Sequence, residues 1–413
     1  MTRGADRYIV VSSDCHAGAP LDVYRDYLEA SYLDEFDHWA ERFKNPYSDL
    51  DDTDARDYRR NFDGAVRQED LEGDGIVGEV IFPNTIPPFY VGHPLFSAPD
   101  PSSDHELELR WAGIQAHNRW LADFCTELPG RRAGVAQILL DDVDRAINEV
   151  GWAREAGLFG GILLPNPAPH STVPPIHAPD YEPLWKLCEE LGVVVNTHGG
   201  GGLPNLGPYP STGMIMFVEI GWYGLRPLTR LIFSGVMERH PDLTFAFTET
   251  GNSLVPEQLK QLDMFHRMAV GAKDGSVESF FGSYVRESIP LQPSEYWARQ
   301  CFLGASFMSP ADCRNRHEIG VGTVMWGADY PHTEGTHPYT REALRLTFAG
   351  IAHDEVEHML GLNAAQAYGF DVEQLGLVAR DMGPSVEELD RTLDPEELPD
   401  EAVSMALAAQ GRR

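Results

Sequence analysis

The amino-acid sequence predicts an α/β protein, a (β/α)8 TIM-type barrel with insertions. Eight short apolar, β-branched runs recur along the chain, and each ends in a polar residue or a Gly/Pro cluster, as buried parallel strands do. Segments with apolar residues at three- and four-residue spacing lie between most of these runs, as expected for helices. Eight strand–helix units over roughly 350 residues match an enlarged barrel, with a doubly wound sheet as the alternative. The predicted strands are 8–16, 78–84, 133–140, 159–166, 192–198, 243–249, 301–307 and 323–329.

The remaining segments divide the chain into a barrel domain and a tail. We assign residues 1–375 to the barrel and expect three insertions, 17–75, 85–104 and 265–298, to form a cap over it. After about residue 375 the sequence becomes acidic and broken. We therefore predict a C-terminal extension, 376–413, that packs loosely or supports an oligomer contact.

Composition limits the partners of this protein. In 413 residues, 32 Lys and Arg stand against 64 Asp and Glu, which gives a formal charge of −32. Such a field repels phosphate backbones and anionic lipid, so we expect neither nucleic-acid nor membrane binding. No apolar stretch is long enough for a membrane span, and no secretory signal is visible. Scattered cysteines fit a reducing compartment, so we expect a cytoplasmic protein.

Residues that could bind a metal follow four of the predicted strands. Asp14 and His16 end the first strand and share one face, because side chains alternate along a strand. His198 ends the fifth strand and Glu249 the sixth. The eighth ends at Asp329, with His332 three residues further on. The carboxyl ends of barrel strands face the active site, and imidazole with carboxylate suits zinc, manganese or iron.

Further polar and aromatic residues near strand ends are candidates for substrate contacts. Asn84 ends the second predicted strand and Asn166 the fourth. His170 and His177 lie in the loop after the fourth strand, and Trp222 could form an aromatic wall. For the two histidines, exposure on a surface loop is the alternative; for Trp222 it is burial in the core.

Four motifs together resemble one known family. The Asp-x-His start, VVVNTHGGG, the strand that ends at Glu249 and MWGADYPH are similar to the amidohydrolase-related branch (amidohydrolase family 2, aminocarboxymuconate-semialdehyde decarboxylase-like) of the amidohydrolase superfamily. Its members include metal-dependent hydrolases and non-oxidative decarboxylases of aromatic acids. The resemblance covers roughly residues 8–370. It implies that Asp14, His16, His198 and Asp329 are metal ligands.

The first functional hypothesis is a single zinc or manganese site in a hydrolase or decarboxylase of a small organic molecule. The metal would activate water, with Glu249 as general base, or chelate a substrate carboxylate while Asp329 or a nearby acid protonates carbon. His198, Glu249 and Asp329 are the candidate catalytic residues. LLPNPAPH at the fourth strand end contains no lysine, so the bridging carbamylated lysine of dinuclear relatives has no candidate.

Charge keeps a second hypothesis open. Asp14, Glu249 and Asp329 bring three negative charges, which one divalent ion does not neutralise. Two irons, or one iron and one manganese, together with a hydroxide would neutralise these charges, if Glu249 bridges the two ions and His332 is a sixth ligand. That centre would activate oxygen in a monooxygenase. A third alternative is an inactive barrel subunit of a hetero-oligomer; relatives otherwise suggest a homo-oligomer that binds a small-molecule substrate.

Overall fold

Parallel strands form the centre of the protein. A computed structural model describes residues 7–44, 56–90, 99–273, 275–394 and 397. The strands in these residues are β1 Val11–Ala17, β2 Gly78–Pro83, β3 Arg132–Gly134, β4 Ala136–Gln137, β5 Ile162–Leu163, β6 Val195–His198, β7 Phe245–Thr248, β8 Cys301–Ser306 and β9 Val324–Gly327. One sheet has the order β1-β2-β3 and the other runs from β4 to β9 in chain order.

Each of the eight predicted strands overlaps an observed strand, and the third is divided at Val135 into β3 and β4. β3 pairs with β2, whereas β4 pairs with β5. On its other side, β1 contacts the segment after β9. There the backbone N–H of Asp329 donates to the carbonyl of Asp14 (2.8 Å), and the N–H of His16 donates to the carbonyl of Tyr330 (2.7 Å). The prediction of an α/β chain with parallel strands is confirmed.

Helices connect the strands and cover their outer side. The α-helices of the described residues are Leu21–Arg25, Leu33–Ala40, Arg56–Arg59, Gly64–Asp74, Asp104–Thr126, Val143–Glu155, Glu182–Leu191, Thr212–Phe233, Val236–Arg239, Leu254–Gly271, Val277–Ser288, Pro293–Gln300, Pro310–Arg314, Arg316–Ile319, Thr340–Phe348, His353–Glu357, Asn363–Tyr368, Val372–Met382 and Val386–Asp390. Short 3-10 turns occur at Ala30–Tyr32, Pro179–Tyr181 and Val321–Thr323, and a π-helical turn at His358–Leu362.

The core lies between the strands and this helical layer. Four tryptophans are among its largest fully buried side chains: Trp111, Trp185, Trp297 and Trp326. Such side chains each remove a large apolar area from water, so they stabilise the contact between helices and strands. In the part of the chain that the structure describes, no helix is both long and apolar enough to cross a membrane.

The predicted tail continues the folded domain rather than leaving it. Helix Val372–Met382 crosses the boundary expected at residue 375, and Leu375 and Ala379 on it are fully buried. Arg345 pairs with Glu397 at 2.7 Å. The described part of the tail is thus packed against the rest of the fold, not loosely attached. Residues 395–396 and 398–413 lie outside the described residues, as do 45–55 and 91–98 of the predicted insertions.

Candidate metal centre

Three strand ends place four ligand-type side chains in one buried cluster. Nε2 of His16 lies 3.2 Å from Oδ1 of Asp14 and 3.0 Å from Oδ1 of Asp329. Nε2 of His198 lies 3.3 Å from the same Asp14 oxygen. All four side chains are buried. Ligand atoms about 2.1 Å from one ion are themselves roughly 3 to 3.4 Å apart, so this spacing is that of a metal coordination shell.

Two atoms of this cluster support metal binding independently of distance. Nε2 of His16 and Oδ2 of Asp329 are fully buried and have no hydrogen-bond partner in the described structure. Buried polar atoms are normally paired, because leaving one unpaired costs free energy. An unpaired imidazole nitrogen beside carboxylate oxygens is the arrangement that a divalent cation satisfies. The residues present therefore fit the metal that their strand-end positions imply.

The charge on Asp14 is held by its neighbours. Burial alone opposes ionisation, but the adjacent imidazoles of His16 and His198 outweigh it and keep the pKa of Asp14 far below its usual range. The Ser306 hydroxyl, at the end of β8, donates to Oδ2 of the same carboxylate. Asp14 is thus oriented from two sides, which leaves Oδ1 for the centre of the cluster.

Glu249 contacts His198 at its other nitrogen. Its Oε2 lies 3.4 Å from Nδ1 of His198, which also faces the carbonyl of Gly199 at 3.1 Å. The Glu249 side chain keeps 21% of its exposure, whereas those of Asp14 and Asp329 have none. Desolvation raises the pKa of Glu249 to about 8. Glu249 belongs to neither group of converging ligand atoms, so the structure places it beside the centre.

His332 forms a second group with His16 and Asp329. Nδ1 of His332 lies 2.8 Å from Asp329, Nε2 lies 3.0 Å from Oδ1 of Asn84, and its ring stacks on that of His16 at 4.2 Å. Desolvation would lower the pKa of His332, but Asp329 outweighs it and raises the value to about 10. In this structure His332 holds Asp329 in place, and Asn84 holds His332.

Backbone geometry at the strand ends explains how the side chains converge. Glu249 and Asp329 both have positive φ, 53° and 56°, which is uncommon for residues other than glycine. Strained residues of this kind are found mainly at functional sites. A Cβ at Gly327 would lie 2.7 Å from that of Asp14, so only glycine lets β9 approach β1 here.

A cavity of about 100 Å³ opens beside His198. Its wall is apolar along Ile138, Leu139, Leu163 and Leu164. Asn166, one of the predicted contact residues, lines it and donates to the carbonyl of Gly201.

The other predicted contacts lie elsewhere. His170 and His177 are exposed, and neither lines this cavity. Trp222 is 51% exposed and lies beneath the guanidinium of Arg226. The two histidines therefore fit the alternative of exposure on a surface loop. Trp222 lies on the outer surface, so it is part of neither the cavity wall nor the core. Asn84 contacts His332 and is not part of the lining.

Several cavity residues were missed at the sequence level. Arg110, in helix Asp104–Thr126, lines the cavity and brings a positive charge to it. Gln137 and Asp141 line it at and after the end of β4. Gln137 had a signal, since it is the single polar residue of the predicted strand 133–140. Arg110 had none, because its position depends on how a long helix packs.

Comparisons with known proteins agree with this architecture. The family model described as amidohydrolase matches residues 106–370, more than half of the chain. No curated protein matches the sequence. The chain is similar to the solved structure of a 5-carboxyvanillate decarboxylase from Novosphingobium aromaticivorans with bound manganese and 3-methoxy-4-hydroxy-5-nitrobenzoic acid. Identity is 19%, the TM-score 0.65, and the match covers 89% of this chain and 99% of that one.

Two further structures show the same likeness. An amidohydrolase from Mycobacterium avium subsp. paratuberculosis is 18% identical with a TM-score of 0.62, covering 89% of this chain and 99% of that one. A 2,6-dihydroxybenzoate decarboxylase from Rhizobium is 18% identical with a TM-score of 0.57, covering 88% and 99%. At these identities the likeness establishes a shared fold over most of the chain.

Proposed function

The chain belongs to the amidohydrolase family, and on that premise we propose that it is a divalent-metal-dependent enzyme that removes the carboxyl group from a small aromatic acid. Family membership implies a TIM-type α/β barrel. Similar structures of named activity are decarboxylases of small aromatic acids, and the 5-carboxyvanillate decarboxylase from Novosphingobium aromaticivorans contains manganese. The observation that carries the proposal is the buried cluster with its unpaired His16 and Asp329 atoms, next to an apolar cavity.

Asp14, His16, His198 and Asp329 would hold the ion. When bound, a divalent metal supplies a Lewis acid that attracts carboxylate and hydroxyl oxygens and polarises them. Two neutral imidazoles and two carboxylates suit manganese or zinc better than calcium or magnesium, which prefer all-oxygen ligands. We propose manganese or zinc as the resident metal.

The cavity is suited to an aromatic ring. The leucine side chains Leu139, Leu163 and Leu164 offer apolar surface beside His198. Burial of a ring against such surface excludes water and fixes its orientation, so the carboxyl group faces the ligand cluster. Arg110 at the cavity wall adds a positive charge in a strongly acidic protein.

Glu249 is our candidate for the proton source. In decarboxylation the bond between the ring carbon and the carboxyl carbon breaks, CO2 leaves, and a proton takes the electron pair left on the ring carbon. Of the acids around the cluster, Glu249 has an accessible side chain, whereas Asp14 and Asp329 are enclosed. It can therefore hold a proton beside the ligand cluster, in contact with His198, and take another from solvent.

A dinuclear iron centre remains as the alternative for the same residues. The group of His16, Asp329 and His332 could hold a second ion. Both groups, however, use His16, and each imidazole nitrogen has one lone pair for one metal. Glu249 also lies outside both groups. These two observations favour a single ion and disfavour the oxygen-activating monooxygenase.

We further propose that the insertions cover the cavity and that the strands close into a barrel through β1 and β9. The second insertion supports the cap, because Tyr90, Pro99 and Asp100 from it line the cavity. The parallel bridge between Cys15 and Tyr330 supports closure. In this arrangement the cap separates the substrate from bulk water.

The test begins with metal content, measured by inductively coupled plasma mass spectrometry on protein from metal-replete medium. Manganese-loaded protein is then incubated with 2-hydroxybenzoates and with esters and amides. We expect about one ion per chain and CO2 release, both lost in His198→Ala. Ester or amide cleavage without CO2 would replace decarboxylation by hydrolysis. Two irons with oxygen consumption would establish the monooxygenase, and a protein with no metal would exclude all three.

A further inference from the structure

The side chain of Gln137 carries a buried amide nitrogen. Gln137 is 4% exposed and lines the cavity together with His198. Its Nε2 atom has no hydrogen-bond partner among the residues that the structure describes. A buried amide donor normally finds an acceptor, because losing its hydrogen bonds to water without replacement costs free energy. The cavity is therefore where its acceptor is expected.

The backbone of Gln137 is fixed from outside the sheet. The side-chain amide of Asn118 donates to the carbonyl of Gln137 (2.9 Å) and accepts from its N–H (2.8 Å). Asn118 in turn donates to Glu149 at 2.8 Å. Asn118 thus takes the place of a neighbouring strand, and the side chain of Gln137 starts from a rigid backbone. A group held in this way is preorganised for binding.

The surroundings of Gln137 define the kind of acceptor. Ile138, Leu139 and Leu163 in the cavity wall offer no side-chain polar atom. The charged groups of the lining are Asp100, Arg110 and Asp141, and Arg110 is paired with Glu106 outside the lining. Negative charge therefore exceeds positive charge around the cavity, so a second carboxylate on the ligand is disfavoured.

We propose that Gln137 is a substrate-binding residue that donates a hydrogen bond from Nε2 to an uncharged oxygen, such as a methoxy or carbonyl oxygen, on the ring of the aromatic acid. This rests on the proposed function, since the ligand's carboxyl group is at the His198 end of the cavity. Gln137 then selects monocarboxylic acids with a neutral oxygen substituent over dicarboxylic acids. It acts on binding and has no part in proton transfer.

The test compares matched ligands by calorimetry on metal-loaded protein, without turnover. Probes are pairs of 2-hydroxybenzoates that carry methoxy or methyl at ring position 3, 4 or 5. We expect wild type to bind the methoxy member of one pair roughly three- to tenfold more tightly, the effect of one hydrogen bond. Gln137→Met, which keeps length but removes the donor, abolishes this preference. Gln258→Met, the same change on helix Leu254–Gly271 outside the cavity, keeps it.

A second measurement separates a binding role from a structural one. A buried amide nitrogen without a partner costs free energy in the ligand-free protein. Gln137→Met and Gln137→Leu are therefore expected to raise the thermal midpoint of the ligand-free protein. Lowered midpoints, equal binding of methoxy and methyl ligands by wild type, or no binding of any pair would each overturn the proposal. If wild type binds the methoxy ligand tightly and selectively but releases no CO2, the binding role of Gln137 is supported and the decarboxylase function is refuted.

Discussion

Glu249 and His198 meet at the side of the imidazole ring that faces away from the ligand cluster. Oε2 of Glu249 lies 3.4 Å from Nδ1, while Nε2 of the same ring faces Asp14 at 3.3 Å. One histidine therefore connects the candidate proton carrier to the candidate metal ligands. This geometry places Glu249 outside the ligand cluster, so substitution of Glu249 tests its proposed role separately from metal binding.

Glu249→Gln is expected to keep the metal and lose activity. The amide preserves the shape of the side chain but cannot give or take a proton, and loss of such a group typically costs 10²- to 10⁴-fold in rate. Metal content per chain should equal that of wild type, measured by mass spectrometry beside CO2 release. A loss of bound metal in this variant would show that Glu249 is a ligand.

The sequence predicted the strands well, because apolar β-branched runs indicate buried parallel strands regardless of what packs on them. Their ends were less predictable. Glu249 and Asp329 were included in strands, but their positive φ ends the extended conformation just before them. The division at Val135 was also invisible, because beyond it a side chain of the preceding helix, Asn118, makes backbone hydrogen bonds with Gln137.

Five of the six metal-type residues predicted at the strand ends converge, and Glu249 lies outside both groups; strand position alone brings the five to one end of the sheet. Loop and helix residues follow no such rule. His170 and His177 could be assigned to the cavity only by guessing the path of a Pro-rich loop, which in fact leaves them exposed. Trp222 was expected in a cavity wall or in the core but is exposed, and Arg110 was not predicted to line the cavity. Both lie on helices, and the orientation of a helix decides which of its residues face inward.

Asp329→Asn should release the metal. Asp329 is buried beside His16, and its Oδ2 atom has no hydrogen-bond partner in the described structure, so this oxygen is available to the ion. An amide at this position lacks the negative charge and weakens the site. We expect metal content below a tenth of wild type. Treatment with chelator should lower the thermal midpoint of wild type and leave that of the variant unchanged.

A chelator-insensitive wild-type midpoint would contradict this account, since an ion that binds only the folded state must stabilise it. Asp312→Asn is the matched control. Asp312 caps helix Pro310–Arg314 through Ser309, away from the cluster, so its replacement should leave metal content unchanged.

Arg67→Lys is expected to destabilise the protein and weaken metal binding together. Arg67 is fully buried, binds Glu79 through Nε (2.9 Å) and Nη2 (2.6 Å), and donates from Nη1 to the carbonyl of His16 (2.8 Å). A lysine cannot make this forked contact. The free energy of unfolding should fall by about 2 kcal/mol, and metal affinity by roughly tenfold.

Denaturant unfolding and metal titration on the same samples check both effects. Arg59→Lys is the control, because Arg59 and Asp63 form a pair in which the arginine is 45% exposed. That change should alter the unfolding free energy by less than about 0.5 kcal/mol. Equal effects of the two substitutions would mean that Arg67 does not support His16.

His117 should make the protein less stable as the pH falls below neutrality. Burial lowers the pKa of His117 from its usual value of 6.5 to about 3, and its Nδ1 lies 2.8 Å from the hydroxyl of Tyr24. Between these two pKa values the unfolded chain therefore binds a proton at His117 that the folded protein does not bind. The stability contributed by neutral His117 is complete above pH 6.5 and is lost as the pH falls from there towards 3.

The measurement is the unfolding free energy of wild type and His117→Gln between pH 8 and pH 4. Their difference should be constant above about pH 7 and then shift against wild type by about 1.4 kcal/mol per pH unit. Titration of the carboxylates is common to both proteins and cancels in this difference. If the unfolding free energies of the two proteins keep a constant difference down to pH 4, His117 accepts its proton in the folded state. The pocket around Tyr24 would then be open to water.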